Sequence, residues 1–297
     1  MPQALSLHIG LNLVSAKHYE GWDGPLDACE NDARDMAALV KKLGYKPTTL
    51  LTRRASRKAV LAALRAARDT LKSGDRFVLS YSGHGGQVKD SNGDEPDRKD
   101  ETWCLWDAQL IDDELYVELA RFARGVRVWV FSDSCHSGSV TRARKPPPVP
   151  KGHRRRLMPD AVADSVYAAH QAEIDAWQRA ALAEGAALKK AAAADPDAAI
   201  AAVAVTGSAA TATALTGPFR PAVVLISGCQ DNQYSMDGDH NGAFTEQLLA
   251  VWAKGTFQGS LAQFHQRIRS RMPASQSPNL FALGPAAAML AARPFTG

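Results

Sequence analysis

The strongest constraint on this 297-residue chain is that buried strands alternate with amphipathic helices over its first 140 residues. Leu5–Val14 is an apolar strand pattern. In Asn31–Leu43 the apolar residues Ala33, Met36, Val40 and Leu43 recur at helical spacing, and Gly44 stops the helix. Thr48–Leu51 is a short strand. Ser56 is placed to cap a second helix, which runs to about Lys72 with Val60, Leu64, Ala67 and Leu71 on one face. Arg76–Tyr81 and Val126–Phe131 are further strands, with a helix from Asp112 and Asp113 to about Ala123 between them. Alternation of this kind builds a parallel sheet covered by helices, because parallel neighbours need crossover connections.

In such sheets ligands bind at the carboxyl ends of the strands. Two strand ends here carry chemistry. Arg76–Tyr81 runs into Ser82-Gly83-His84-Gly85-Gly86, and a polar, acidic loop follows from Gln87 to Glu101. Val126–Phe131 runs into Ser132-Asp133-Ser134-Cys135-His136-Ser137-Gly138, with Cys135 51 positions after His84. A structural cysteine belongs inside a strand, whereas a reactive thiol needs partial exposure and a proton acceptor. His84 supplies the acceptor from the neighbouring strand end. Gly83 and Gly85 leave room for a substrate backbone, and the Gly85 amide is free to hold an oxyanion. Cys29, Cys104 and Cys229 have neither metal-ligand spacing nor disulfide density.

Beyond residue 140 the composition changes. Lys145–Lys151 is rich in proline, and 24 of the 55 residues in Ala161–Leu215 are alanine. The tract Thr141–Met158 holds seven basic residues (Arg142, Arg144, Lys145, Lys151, Arg154, Arg155 and Arg156) and no acid. With a chain total of +4, the remainder therefore carries −3. The basicity is local, which argues against a general nucleic-acid surface. The chain divides into 1–140, an insertion or linker over 141–218 that is expected to be partly helical and partly disordered, with its Pro-rich, basic start extended and exposed, and 219–297. Within the last part, Ala222–Ser227 and Asn279–Leu283 are strands, and Ala243–Ala253 and Leu261–Arg271 are helices. Six core strands result.

Tyr81-Ser82-Gly83-His84-Gly85 and Asp133-Ser134-Cys135-His136-Ser137-Gly138 resemble the His and Cys boxes of the caspase superfamily (peptidase family C14). The Asp two residues before the Cys is similar to the metacaspase and bacterial orthocaspase form. The resemblance covers Leu5–Ser139 and Ala222–Leu283. It implies a caspase-like three-layer α/β/α sandwich with a six-stranded, mostly parallel sheet, in which the last strand is the candidate antiparallel one. It further implies a cysteine endopeptidase in which Cys135 attacks the peptide carbonyl and His84 shuttles the proton. The amides of Gly85 and Cys135 would hold the oxyanion.

Metacaspases cut after Arg or Lys in an acidic first pocket. The matching positions here are Cys29, Asp32, Ser82 and Asp133, with Asp231 as a further candidate. Two converging carboxylates suit a basic side chain as charge-assisted partners. The family's calcium acids match Asp100, Asp112 and Asp113, while Arg142 stands about where a further acid falls. A chain that cuts after Arg or Lys and carries a basic linker is expected to process itself there.

Other chemistries fit less well. A phosphatase loop needs five residues between Cys and Arg, but six separate Cys135 from Arg142. The remaining histidines have no zinc-ligand spacing. The rival of another class is a caspase-fold regulatory or binding module. No apolar run is long enough to span a bilayer, so a cytoplasmic protein with no membrane partner is expected. The resemblance implies a monomer acting on polypeptides, and the local basicity argues against a nucleic-acid partner.

Overall fold

The computed structural model describes residues 2–90, 98–134, 154–194, 208–229 and 235–296. Its elements in chain order are β1 (Ala4–Gly10), α1 (Cys29–Lys41), β2 (Lys46–Leu51), α2 (Arg57–Thr70), β3 (Arg76–Ser82), β4 (Gly85–Lys89), β5 (Lys99–Cys104), β6 (Gln109–Ile111), α3 (Asp112–Ala120), β7 (Arg127–Asp133), α4 (Asp160–Ala193), α5 (Ser208–Thr216), β8 (Ala222–Ser227), α6 (Ala243–Trp252), α7 (Leu261–Arg271), β9 (Asn279–Leu283) and α8 (Ala287–Ala291).

Six strands form the central sheet in the order β2-β1-β3-β7-β8-β9. All neighbours are parallel except β8 and β9. The residues of the inner strands β1, β3, β7 and β8 are buried on both faces, and their alternation divides them between two cores. Phe77, Leu79, Val128, Val130, Val223 and Leu225 pack on the α2 and α3 side, where Ala181 of α4 and Leu215 of α5 join them. Val78, Trp129, Phe131, Val224 and Ile226 pack on the other side with Met36 and Val40 of α1, Phe244 and Leu248 of α6, and Phe264 and Ile268 of α7. The result is the expected three-layer sandwich. Ser56 accepts a hydrogen bond from the Ala59 amide at 3.2 Å and so starts α2, as its position implied.

Two expectations are corrected. The stretch Gln87–Glu101 is not simply a loop, because its ends form β4 and β5. These pair antiparallel and, with β6, make a small second sheet. Short strands rich in glycine, lysine and acids carry no apolar alternation, so their pairing left no periodic signal. The insertion is also not uniformly exposed. Helix α4 buries Val166, Ile174, Gln178 and Ala181. The Gln178 amide reaches the Lys89 carbonyl and the Asp100 carboxylate, each at 2.7 Å, which fastens α4 to β4 and β5. Arg57 lies over the Trp177 ring at 3.9 Å.

Candidate active site

Parallel register puts the two boxes side by side. Ser82 at the end of β3 pairs with Asp133 at the end of β7. Asp32, in the first turn of α1, faces both, where the helix N-terminus favours a negative charge. Ser82 donates to Asp32 Oδ2 at 2.7 Å. The Asn241 side chain and the Gly242 amide each donate to Asp32 Oδ1 at 3.0 Å. Asp133 accepts from Ser235 at 2.5 Å and from the Thr245 hydroxyl at 2.8 Å and amide at 3.0 Å. Cys29 is fully buried beside Ser82, and burial pushes its thiol well up, so it is a neutral wall of the pocket.

The pocket is filled by the chain's own Arg156, which is fully buried. Its Nη1 donates to Ser82 Oγ at 2.8 Å and to the Asp133 carbonyl at 3.1 Å, and lies 3.1 Å from Asp133 Oδ2. Its Nη2 donates to Asp32 Oδ2 at 2.8 Å and to Asp237 Oδ1 at 2.9 Å. Burial alone would lower the guanidinium's pKa, but the carboxylates Asp133, Asp32 and Asp237 together hold it well above its ordinary value. Burial pushes the Asp32 carboxyl up to about 6 against the pull of Arg156.

Sequence inspection therefore brought together Cys29, Asp32, Ser82 and Asp133, and missed Asp237. Asp231 lies outside the described residues. Asp237 sits in an irregular stretch with no periodic signal, and it is fixed by the Asp27 amide at 2.6 Å and the Ala28 amide at 3.3 Å. Arg156 departs most sharply from the expected exposed linker. Of its neighbours, Arg154 is exposed and pairs only loosely with Asp27, at 3.8 Å.

The backbone around Arg156 is extended and paired on both sides. Arg156 N–H donates to the Ser235 carbonyl at 3.0 Å, and the Arg154 carbonyl accepts from Asp237 N–H at 2.8 Å, forming an antiparallel bridge between Arg155 and Met236. On the other side the Gly85 amide donates to the Arg156 carbonyl at 2.9 Å, and Met158 N–H donates to the Gly85 carbonyl at 2.8 Å. An extended peptide added to a sheet edge is a common mode of peptide recognition, and here the β4 edge supplies it on one side.

His84 is buried. Its Nε2 lies 2.9 Å from the Gly24 carbonyl, which can only accept, so Nε2 carries the proton. Among the described residues its Nδ1 has no hydrogen-bond partner and is therefore an unprotonated acceptor. Burial lowers the His84 pKa to about 4. Gly24 adopts φ +51°, and a side chain there would run into the Trp22 ring and His84 Nε2. Cys135 lies outside the described residues. It follows Ser134, whose hydroxyl is 2.9 Å from that of Ser132.

The acids matched to calcium lie on β5 and at the start of α3. Asp100 is buried on β5 under Gln178, and Asp112 accepts the Asp113 amide at 3.0 Å at the start of α3. Among the described residues no group of three or more His, Cys, Asp or Glu side chains is arranged to hold a metal ion.

With this geometry in place, similarity to known proteins decides the family. The caspase-domain family model matches residues 11–287. The chain belongs to the caspase-domain family of cysteine-type peptidases. Metacaspase-1 of Ajellomyces capsulatus is 28% identical over 302 residues, covering 93% of this chain and 78% of that protein. Metacaspase-1A of Neurospora crassa is 35% identical over 150 residues, covering 46% of this chain and 32% of that protein. The chain spans about a third of the length of several of the curated metacaspases it matches. A protein of Geobacter sulfurreducens with a crystal structure aligns at TM-score 0.81 and 46% identity over 99% of each chain. Caspase-1 of Spodoptera frugiperda aligns at TM-score 0.56 and 7% identity over 96% of this chain and 88% of its own, which places the fold alone. Among the described residues no helix is long and apolar enough to cross a membrane.

Proposed function

We propose that this caspase-domain protein is a cysteine endopeptidase that cuts after Arg or Lys with Cys135 and His84, and that its first substrate is its own Arg156–Leu157 bond. The observation that carries this is Arg156 itself. Its guanidinium lies among Asp32, Asp133 and Asp237 while its carbonyl accepts from the Gly85 amide.

In the proposed reaction the Cys135 thiol gives its proton to His84 Nδ1, and the thiolate attacks the Arg156 carbonyl carbon. The Gly85 amide already points at the oxygen that becomes negative. The C–N bond then breaks, and the proton on His84 passes to the Leu157 nitrogen. Water, losing a proton to His84, cleaves the thioester and restores the thiol. A depressed His84 pKa keeps the imidazole neutral and able to accept at neutral pH. Lysine retains the charge but lacks the fork that Arg156 spreads over three carboxylates.

The test uses purified wild-type and Cys135→Ala protein, followed by intact-mass spectrometry and by hydrolysis of fluorogenic peptides ending in Arg, Lys or Asp. Wild type is expected to split after residue 156 and to hydrolyse the Arg and Lys peptides. Cys135→Ala should do neither. Folded wild type that stays whole and cuts none of the peptides would favour the binding module. Cleavage after Asp alone would overturn the role of the acidic pocket.

A further inference from the structure

Arg156 accounts for the unprimed side of the groove, but the residue two places beyond the proposed cut is held as firmly. Met158 is 1% exposed, more buried than expected for the end of an exposed basic tract. Its side chain enters a small apolar pocket of its own, formed by Val14, Tyr19 and Cys104, all buried, with Trp22 on the rim. Tyr19 is locked there by donating its hydroxyl to the Leu105 carbonyl at 2.8 Å. Gly86 forms the floor, and a Cβ at that position would lie 2.7 Å from Met158 Cε. The backbone is equally constrained, since one residue, Gly85, donates to the Arg156 carbonyl and accepts from Met158 N–H. The scissile bond is thus suspended between two side-chain anchors that share one backbone clamp.

We infer that this pocket is a primed-side subsite that selects an unbranched or γ-branched apolar side chain, Met or Leu, at the second residue after the cut. The inference rests on the peptidase function proposed above. Its chemistry differs from that of the first pocket. The walls are apolar, and a carboxylate at this position would lose its water with no partner to replace it. Met158 reaches the Gly86 floor with its terminal Cε, a depth that a short β-branched side chain such as Val would leave empty, whereas the thin, flexible thioether fits an irregular gap. The sequence therefore encodes a two-point recognition element, Arg-Leu-Met, whose second point needs no charge. Val166 of α4 closes the pocket over Met158 in this chain. The remaining walls belong to the catalytic body and would be presented to any substrate.

Internally quenched peptides spanning Arg-Arg-Arg-Leu-X-Pro-Asp, with X as Met, Leu, Ala or Asp, test the subsite directly with wild-type enzyme. A short Arg–coumarin peptide, which has no residue at that position, serves as reference. Met and Leu peptides should be cut with similar kcat/KM, the Ala peptide about tenfold more slowly and the Asp peptide more slowly still, given the apolar area each would bury. In the chain itself, Met158→Asp should slow self-cleavage at Arg156, and Met158→Leu should preserve it. Equal cleavage of all four peptides overturns the subsite. So does cleavage of the Arg–coumarin peptide with none of the four cut. If the Arg–coumarin peptide is itself untouched, the peptidase function fails, and the subsite fails with it.

Discussion

Replacing a substrate arginine by citrulline probes the first pocket most cleanly. Citrulline keeps the length and shape of arginine and removes only the charge and part of its donor fork. In the structure Arg156 meets three carboxylates whose side chains are 2–3% exposed, and among the described residues its two terminal nitrogens make every polar contact, since Nε has no partner there. A neutral urea would leave those carboxylates buried without a counter-charge. Removing one partner of a buried pair costs about 3–5 kcal/mol, which corresponds to a loss of about two to three and a half orders of magnitude in kcat/KM. Lysine keeps the charge but reaches as a point donor. Losing one charge-assisted bond of about 1.5–3 kcal/mol predicts a roughly ten- to hundredfold deficit against arginine. Initial rates with three coumarin peptides, identical except for Arg, Lys or citrulline before the leaving group, measure the series. A citrulline peptide within about tenfold of arginine, or one better than lysine, would refute electrostatic selection by Asp32, Asp133 and Asp237.

Three further outcomes follow from the geometry. Asp237→Asn should raise KM for the Arg peptide and cut the Arg-over-citrulline preference by about tenfold, because one charge-assisted contact to Nη2 is lost. An unchanged preference would remove Asp237 from the pocket. Gly24→Ala should lower kcat at least about tenfold while leaving KM nearly unchanged, because a methyl group there pushes on the His84 ring and not on the pocket. Equilibrium denaturation of Cys135→Ala should show stability falling as pH drops from about 6 to 4. His8 and His84 have folded pKa values lowered by burial to about 3 and about 4, so the unfolded chain takes up protons that the folded chain refuses. Asp32, raised to about 6, works in the opposite sense and cancels one of the two protons. These three groups give a net slope of about 1.4 kcal/mol per pH unit, and the partly buried His18, also lowered to about 4 by burial, adds in the same sense. Stability that rises on acidification would contradict the assignment.

Most of the scaffold could be read from local pattern. Core strands such as Arg76–Ser82 and Ala222–Ser227 are buried on both faces and appear as apolar runs, while α1 and α2 show clean helical spacing. The His box was legible as a strand end, and the resemblance pointed to Cys29, Asp32, Ser82 and Asp133. Ser82 and Asp133 meet because they end adjacent parallel strands, and Asp32 because α1 begins against them. Strands β4 and β5 were not legible, since glycines and charged residues carry no alternation. Asp237 was not either. Its contacts to Asp27 and Ala28 span some 210 positions and follow no repeat.

The basic tract divides the two levels of information most sharply. Charge complementarity alone says that an acidic pocket at the strand ends suits one of the seven basic residues between Thr141 and Met158. All seven carry the same charge, so nothing local ranks them. Tertiary structure ranks them through backbone reach. Only when Gly85 and Ser235 hold the chain extended, and Met158 fills its own pocket, does the Arg156 side chain arrive at Asp32, Asp133 and Asp237. Charge sets which kind of side chain is wanted, and the positions of the anchors set which one arrives.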